Sequence, residues 1–225
     1  MAAVWPKRDE ICSRHPAPVV DIVLDTEFND RVGGFVIDPI SIAMVSLKEA
    51  QDYFYAVSSE FNQKAAQIHP FLAEQVLPKL PAPAYRQPNR EILNDMKEYL
   101  NDVVSVTGTR PPRFVSIWAK SGGIGDFSVL NLWFEGRFLE FMQDIGIERV
   151  HFKDTYETCR KWSRSKLTHE IDPEVAHTAL GDALYEREVL RACQAEMQRC
   201  SGLRKKGDSQ TDLRGDPNPF DRRIA

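Results

Sequence analysis

Val19-Val20-Asp21-Ile22-Val23-Leu24-Asp25 is a run of β-branched and apolar residues that closes on a carboxylate. Pro18 precedes it and the polar Asn29-Asp30-Arg31 follows, so it reads as a buried strand that ends at an acidic triplet, Asp25-Thr26-Glu27. Working outward, Ile40 to Leu47 and Tyr53 to Val57 read as the next two strands. Arg31-Val32-Gly33-Gly34 supplies a flexible connection and Ser46 to Asp52 a hairpin-like one, which predicts three neighbouring antiparallel strands. Helical composition then takes over, from Asn62 to Val76 ahead of Pro78, and again from Pro88 to Val103 with a proline at the start. Arg113 to Ala119 returns to strand character. Asp126 to Phe134, Asp154 to Ser163 and Thr178 to Arg199 read as helices, the last with apolar Ala179, Ala183, Leu184, Val189, Leu190 and Cys193. Strands first and helices interleaved afterwards predict an α/β fold with a mixed sheet flanked by helices.

The chain of 225 residues suits one substantial domain, expected over residues 1–200. From Ser201 onward, Gly, Pro, Asp and Arg dominate and large apolar residues are few, which predicts a loosely ordered tail over 201–225. A hydrophobic share of 42% and a charged share of 28% are those of an ordinary globular protein. No run approaches the roughly 18 apolar residues of a membrane helix, and MAAVWPKRDE lacks the apolar core of a secretory signal, so a cytoplasmic location with no membrane partner is expected. Cys12, Cys159, Cys193 and Cys200 form no CxxC pair, which argues against structural zinc or a disulfide framework. A net charge of -4 argues against a protein that coats nucleic acid by phosphate neutralisation, but is compatible with an enzyme that grips one strand end.

Three groups of residues can do chemistry. In Asp25-Thr26-Glu27 the carboxylates are two apart on a strand and point to one face, where they can share Mg²⁺ or Mn²⁺; a turn or helix cap is the plainer alternative. His177-Thr178-Ala179-Leu180-Gly181-Asp182-Ala183 heads the last helix. Five residues on an ideal helix separate two side chains by about 140°, so His177 is expected in the loop or first turn, folding back toward the pocket that Asp182 faces. Imidazole titrates near neutrality and can take a proton from a metal-bound water; a capping or surface histidine is the alternative. Finally, Ala119-Lys120-Ser121-Gly122-Gly123-Ile124-Gly125-Asp126-Phe127 runs from a strand through glycines into a helix, placing Asp126 at or beside a helix N-terminus, where it can also serve as a simple cap. Neither GxxxxGK[ST] nor GxGxxG is present, which argues against a nucleoside-triphosphate or dinucleotide site.

In this order and on these elements, the three groups resemble the motifs of the DEDD 3′-to-5′ exonuclease superfamily of ribonuclease H-like fold, in its DEDDh branch. That branch carries DxE on the first strand, an Asp in the middle motif and HxAxxDA on the last helix, matched here by Asp25, Glu27, Asp126, His177 and Asp182. The resemblance runs from Val19 to Leu190. Within the branch the chain looks most like the ribonuclease AS group, which trims adenine-rich RNA ends and is related to ribonuclease T and a phage exodeoxyribonuclease. Asp25-Thr26-Glu27-Phe28, Tyr55-Ala56-Val57-Ser58, Val76-Leu77-Pro78-Lys79-Leu80-Pro81 and Asp126 through Leu132-Trp133 carry this narrower likeness. Many members have an aromatic residue or Asn just before the middle-motif Asp, where this chain has Gly125.

The resemblance implies a two-ion phosphodiester hydrolase acting on the 3′ end of single-stranded nucleic acid, RNA ahead of DNA. Asp25, Glu27 and Asp182 would hold one Mg²⁺ or Mn²⁺, Asp25 and the scissile phosphate the second, and Asp126 would act partly through water. His177 would be the general base, and nucleoside 5′-monophosphates the products. Phe28, Trp118 and Phe127 are the candidate substrate-contacting aromatics, with core packing the alternative for Phe28 and Trp118. Arg160-Lys161-Trp162-Ser163-Arg164-Ser165-Lys166 is a candidate phosphate-tracking lip or a solvated helix face. A homodimer is also implied. The competing readings are a single-strand exodeoxyribonuclease and a non-catalytic nucleic-acid-binding domain on the same fold.

Overall fold

The computed structural model describes residues 19–32, 36–48, 52–105, 114–120, 124–162 and 172–207. Its centre is a five-stranded mixed sheet in the order β3-β2-β1-β4-β5, with β1 Val19–Val32, β2 Val36–Ser46, β3 Tyr53–Val57, β4 Phe114–Ala119 and β5 Arg149–Asp154. The first three strands are antiparallel, as expected, and β4 and β5 join in parallel. The architecture is α/β.

The helices are α1 Gln63–Ile68, α2 Asn89–Ser105, α3 Ile124–Trp133, α4 Phe138–Asp144, α5 Thr155–Trp162 and α6 Ala179–Gly207. Strand alternation sorts them into two layers. Val20, Ile22 and Leu24 of β1 pack with Ile92, Met96 and Leu100 of α2, Leu130 of α3 and Phe138 of α4. Val23 points the other way, to Cys159 of α5 and Ala179, Ala183 and Leu190 of α6. Asp25 and Glu27 continue that second row, so the pleat aims both carboxylates at α6.

The structure corrects the sequence reading in four places. β1 does not end at Asp25 but runs to Val32, so the acidic triplet lies within the strand, just before a register shift between Glu27 and Phe28 that sets Phe28 opposite Pro39. The helix expected over Asn62 to Val76 is broken: α1 stops at Ile68, His69 is extended ahead of Pro70, and a π-helical turn follows at Leu72–Val76. A residue before proline is driven out of the helical region, which accounts for the break. Strand β5 and helix α4 were not anticipated; Arg149, His151 and Lys153 give β5 the charged look of an edge strand. The last helix passes Arg199 and reaches Gly207, taking in the first seven residues of the expected tail, while 208–225 lie outside the described residues.

Cys159 and Cys193 are free, buried thiols. Among the described residues, no helix is long and apolar enough to cross a membrane.

Candidate metal centre

Asp25 and Glu27 leave β1 two residues apart and meet Asp182 from the first turns of α6. One donor oxygen from each of the three lies within 4.8 Å of the others. Asp25 and Glu27 are both 9% exposed, so these like charges face one another largely out of water. Burial first, then Asp126, Glu27 and Asp182, hold the Asp25 carboxyl well above the ordinary range. Burial, Asp182 and Asp126 push Glu27 up to about 8, with Lys120 and Lys79 pulling the other way. A cluster of this kind favours a cation: three hard oxygens at that spacing could hold one divalent ion, which would relieve their mutual repulsion.

Asp126 enters from the opposite layer. The ladder between β1 and β4 ends where Val23 meets Trp118, which leaves that edge of β1 without a strand partner further on. Asp126, in the first turn of α3, takes up the slack: its Oδ1 accepts from the Thr26 amide at 3.0 Å and from the Thr26 hydroxyl at 2.7 Å. Burial pushes its carboxyl up to about 6 against the pull of those two bonds. Asp126 therefore borders the triad without joining it. It is not a cap at the helix start, because α3 begins two residues earlier, at Ile124.

Gly125, the position at which this chain departs from its resemblance, has a packing reason. A Cβ there would stand 2.8 Å from Cζ of Phe28. The half-buried Phe28 ring thus lies against α3, which supports the packing role.

His177 sits in the turn before α6, as its spacing from Asp182 requires. Its amide donates to Asp182 Oδ1 at 3.3 Å, so the motif closes on itself through the main chain. Thr178 caps α6, its hydroxyl accepting from the Gly181 amide at 3.1 Å and donating to Val175 O at 2.7 Å. His177 has a left-handed backbone, with φ of 59°, and its imidazole packs edge-on against Phe71 with ring centroids 5.1 Å apart.

Two residues that sequence reasoning passed over fix this turn. Lys79 donates from Nζ to Ala176 O at 2.6 Å and to Pro173 O at 2.8 Å, gripping the chain next to His177. Gly181 lets the turn lie on the helix: a Cβ there would fall 2.1 Å from Val175 O. Both residues stand inside quoted motifs, Lys79 in Val76 to Pro81 and Gly181 in the histidine motif, but with no role assigned to either.

Of the aromatic candidates, Trp118 belongs to the core and Phe127 is half-buried against it. Trp118 is 6% exposed, donates from its indole to Asp21 Oδ1 at 2.8 Å and carries Lys153 Nζ over its ring at 4.4 Å, so neither face is open to a base. Phe127 turns toward β5, with its ring centroid 4.4 Å from that of Phe152. Of the basic run from Arg160 to Lys166, Arg160 is an exposed residue of α5, and residues 163–166 lie outside the described residues. The glycines at 122 and 123 do too.

No family model matches this chain. A search of curated proteins finds no match either.

Proposed function

We propose that the chain is a metal-dependent 3′-to-5′ exonuclease of the DEDDh type, on a ribonuclease H-like fold, that removes nucleotides singly from single-stranded RNA. The observation that carries this is the convergence of Asp25, Glu27 and Asp182 within 4.8 Å, bordered by Asp126 and by the turn bearing His177. Buried carboxylates that repel one another are the donor set that hard divalent ions select.

Asp25, Glu27 and Asp182 would hold one Mg²⁺ or Mn²⁺, and Asp25 would be shared with a second. Bound there, the ions supply charge neutralisation for the phosphate, an acidified water and stabilisation of the departing 3′ oxygen. His177 accepts the proton of the attacking water on its imidazole as the new bond to phosphorus forms and the bond to the 3′ oxygen breaks. The leaving oxygen takes a proton from solvent, and the product is a nucleoside 5′-monophosphate. Thr26 keeps Asp126 oriented beside the cluster, and Lys79 with Gly181 holds the histidine turn against α6. Phe28, next to the ligands on β1, offers the terminal base an apolar edge. A homodimer would complete the groove for the strand.

The test is the purified protein with Mg²⁺ or Mn²⁺ on 5′-labelled RNA and DNA oligomers, single- and double-stranded. A ladder of shortening products from single-stranded RNA, abolished by EDTA, is expected. A DNA-only ladder would make the protein an exodeoxyribonuclease, and intact oligomers throughout would leave a binding domain. His177→Asn should lower the rate by roughly two to four powers of ten with Mn²⁺ affinity retained, the span of general-base catalysis.

A further inference from the structure

Glu186 stands one helical turn beyond Asp182 on α6, and residues four apart share a helix face. It is 3% exposed, and neither of its carboxylate oxygens has a hydrogen-bond partner in the protein. The Thr155 hydroxyl at the start of α5 is in the same condition, and it faces Glu186 without closing a hydrogen bond of ordinary geometry. Buried polar side chains are nearly always satisfied, and an uncompensated buried charge costs several kcal/mol. Nothing in the mechanism above uses this one.

Its surroundings sharpen the problem. Burial holds the Glu186 carboxyl up at about 8; Lys120 pulls it down, while Asp126 and Asp182 push it up. Glu186 in turn raises Asp25. Four residues on from Asp182 and 3% exposed, it lies on the buried face of α6 that carries Asp182. It does not belong to the first ion's ligand group, because the oxygens that close within 4.8 Å are those of Asp25, Glu27 and Asp182. Charge agrees: Asp25, Glu27, Asp126, Asp182 and Glu186 outnumber the Lys120 and Lys79 ammonium groups, and one divalent ion would still leave the group net negative.

We propose that Glu186 is a further carboxylate of the metal centre, holding the second divalent ion that Asp25 shares, directly or through one water. The inference rests on the metal-binding part of the proposed function and is independent of whether the bound ions hydrolyse RNA. Gln would keep the size of the side chain and remove its charge, so Glu186→Gln isolates the electrostatic contribution.

The experiment is calorimetric titration of the full chain with Mn²⁺, alone and with AMP as the phosphate probe, for the unaltered protein and Glu186→Gln. A Mn²⁺ anomalous map of the unaltered protein provides a reading that does not depend on the variant folding. Two ions are expected, with the weaker losing tenfold or more in affinity in Glu186→Gln and the tighter unchanged, and with an anomalous peak touching Glu186 or a water on it. Equal titrations for both proteins, or two peaks that leave Glu186 untouched, would overturn the proposal. Two ions held with Glu186 in a protein that leaves every oligomer intact would uphold it and sink the hydrolytic reading. A chain that binds no Mn²⁺ would overturn both.

Discussion

The two faces of the sheet are built on opposite principles. Toward α2, α3 and α4 the strands present Ile22, Leu24, Ile42 and Met44 to Met96, Leu100, Phe138 and Met142, all at most 1% exposed. Toward α6 the small side chains of Ala43, Ala179, Ala183, Cys159 and Cys193 sit among the larger Val23, Val45, Trp118 and Leu190. Large residues interlock and hold helices at a distance; small ones let a helix lie close to the strands. Close approach is what brings Asp182 from a helix onto Asp25 and Glu27 from a strand. One face is packed mainly with large apolar side chains, and the other mixes small residues, larger ones and the carboxylates.

Substitutions can break that division. Asp25→Asn should reduce hydrolysis to the level of the blank reaction and abolish Mn²⁺ uptake, measured by oligomer cleavage and calorimetry, while the metal-free protein melts no lower than its parent because a repelled carboxylate has been neutralised. On the opposite face, Leu100→Ala should cost about 2–5 kcal/mol of stability in denaturant unfolding, with Mn²⁺ affinity of the folded protein retained. A large activity loss at constant stability from Leu100→Ala would mean that the faces are not separate.

Gly181→Ala sharpens the comparison on the charged side. A Cβ 2.1 Å from the Val175 carbonyl oxygen must displace the turn, and a misplacement on the order of 1 Å costs about a hundredfold in rate. The rate should fall by that factor with the unfolding midpoint moved much less. A further effect is one of pH. Glu27 and Glu186 are raised from 4.5 to about 8 in the fold, so between those values the folded chain keeps protons that the unfolded chain releases. Stability of the metal-free protein is therefore greatest at the acid end of that window and declines as pH rises through it. Saturating Mn²⁺ should remove the decline, as a scan from pH 5.5 to 8.5 with and without the ion would show.

How far the sequence could be read follows the same divide. The first three strands and the carboxylates on β1 were legible because an apolar run ending in acids is a local signal. The histidine turn was legible from spacing alone. Strand β5 was hidden by Arg149 and Lys153, since an edge strand wears the charges of a loop. Trp118 could have been a platform or a core residue until its indole was seen on Asp21, a contact across 97 residues of chain. Lys79 and Gly181 act through the backbone of a turn about ninety-four and six residues away respectively, and main-chain contacts leave no mark on composition. Glu186 was visible at helical spacing from Asp182, but its meaning depends on burial, which spacing does not supply.

The left-handed backbone at His177 has a bearing on ancestry. Asn, Asp and Gly tolerate that conformation better than most residues, whatever the chemistry beside them. A lineage that kept the fold without the proposed hydrolysis would be expected to drift at this position toward that small set, not toward Ala or Val. Asn or Gly at 177 with Asp25, Glu27 and Asp182 intact would then be the signature of a descendant that keeps the metal centre without the proposed hydrolysis.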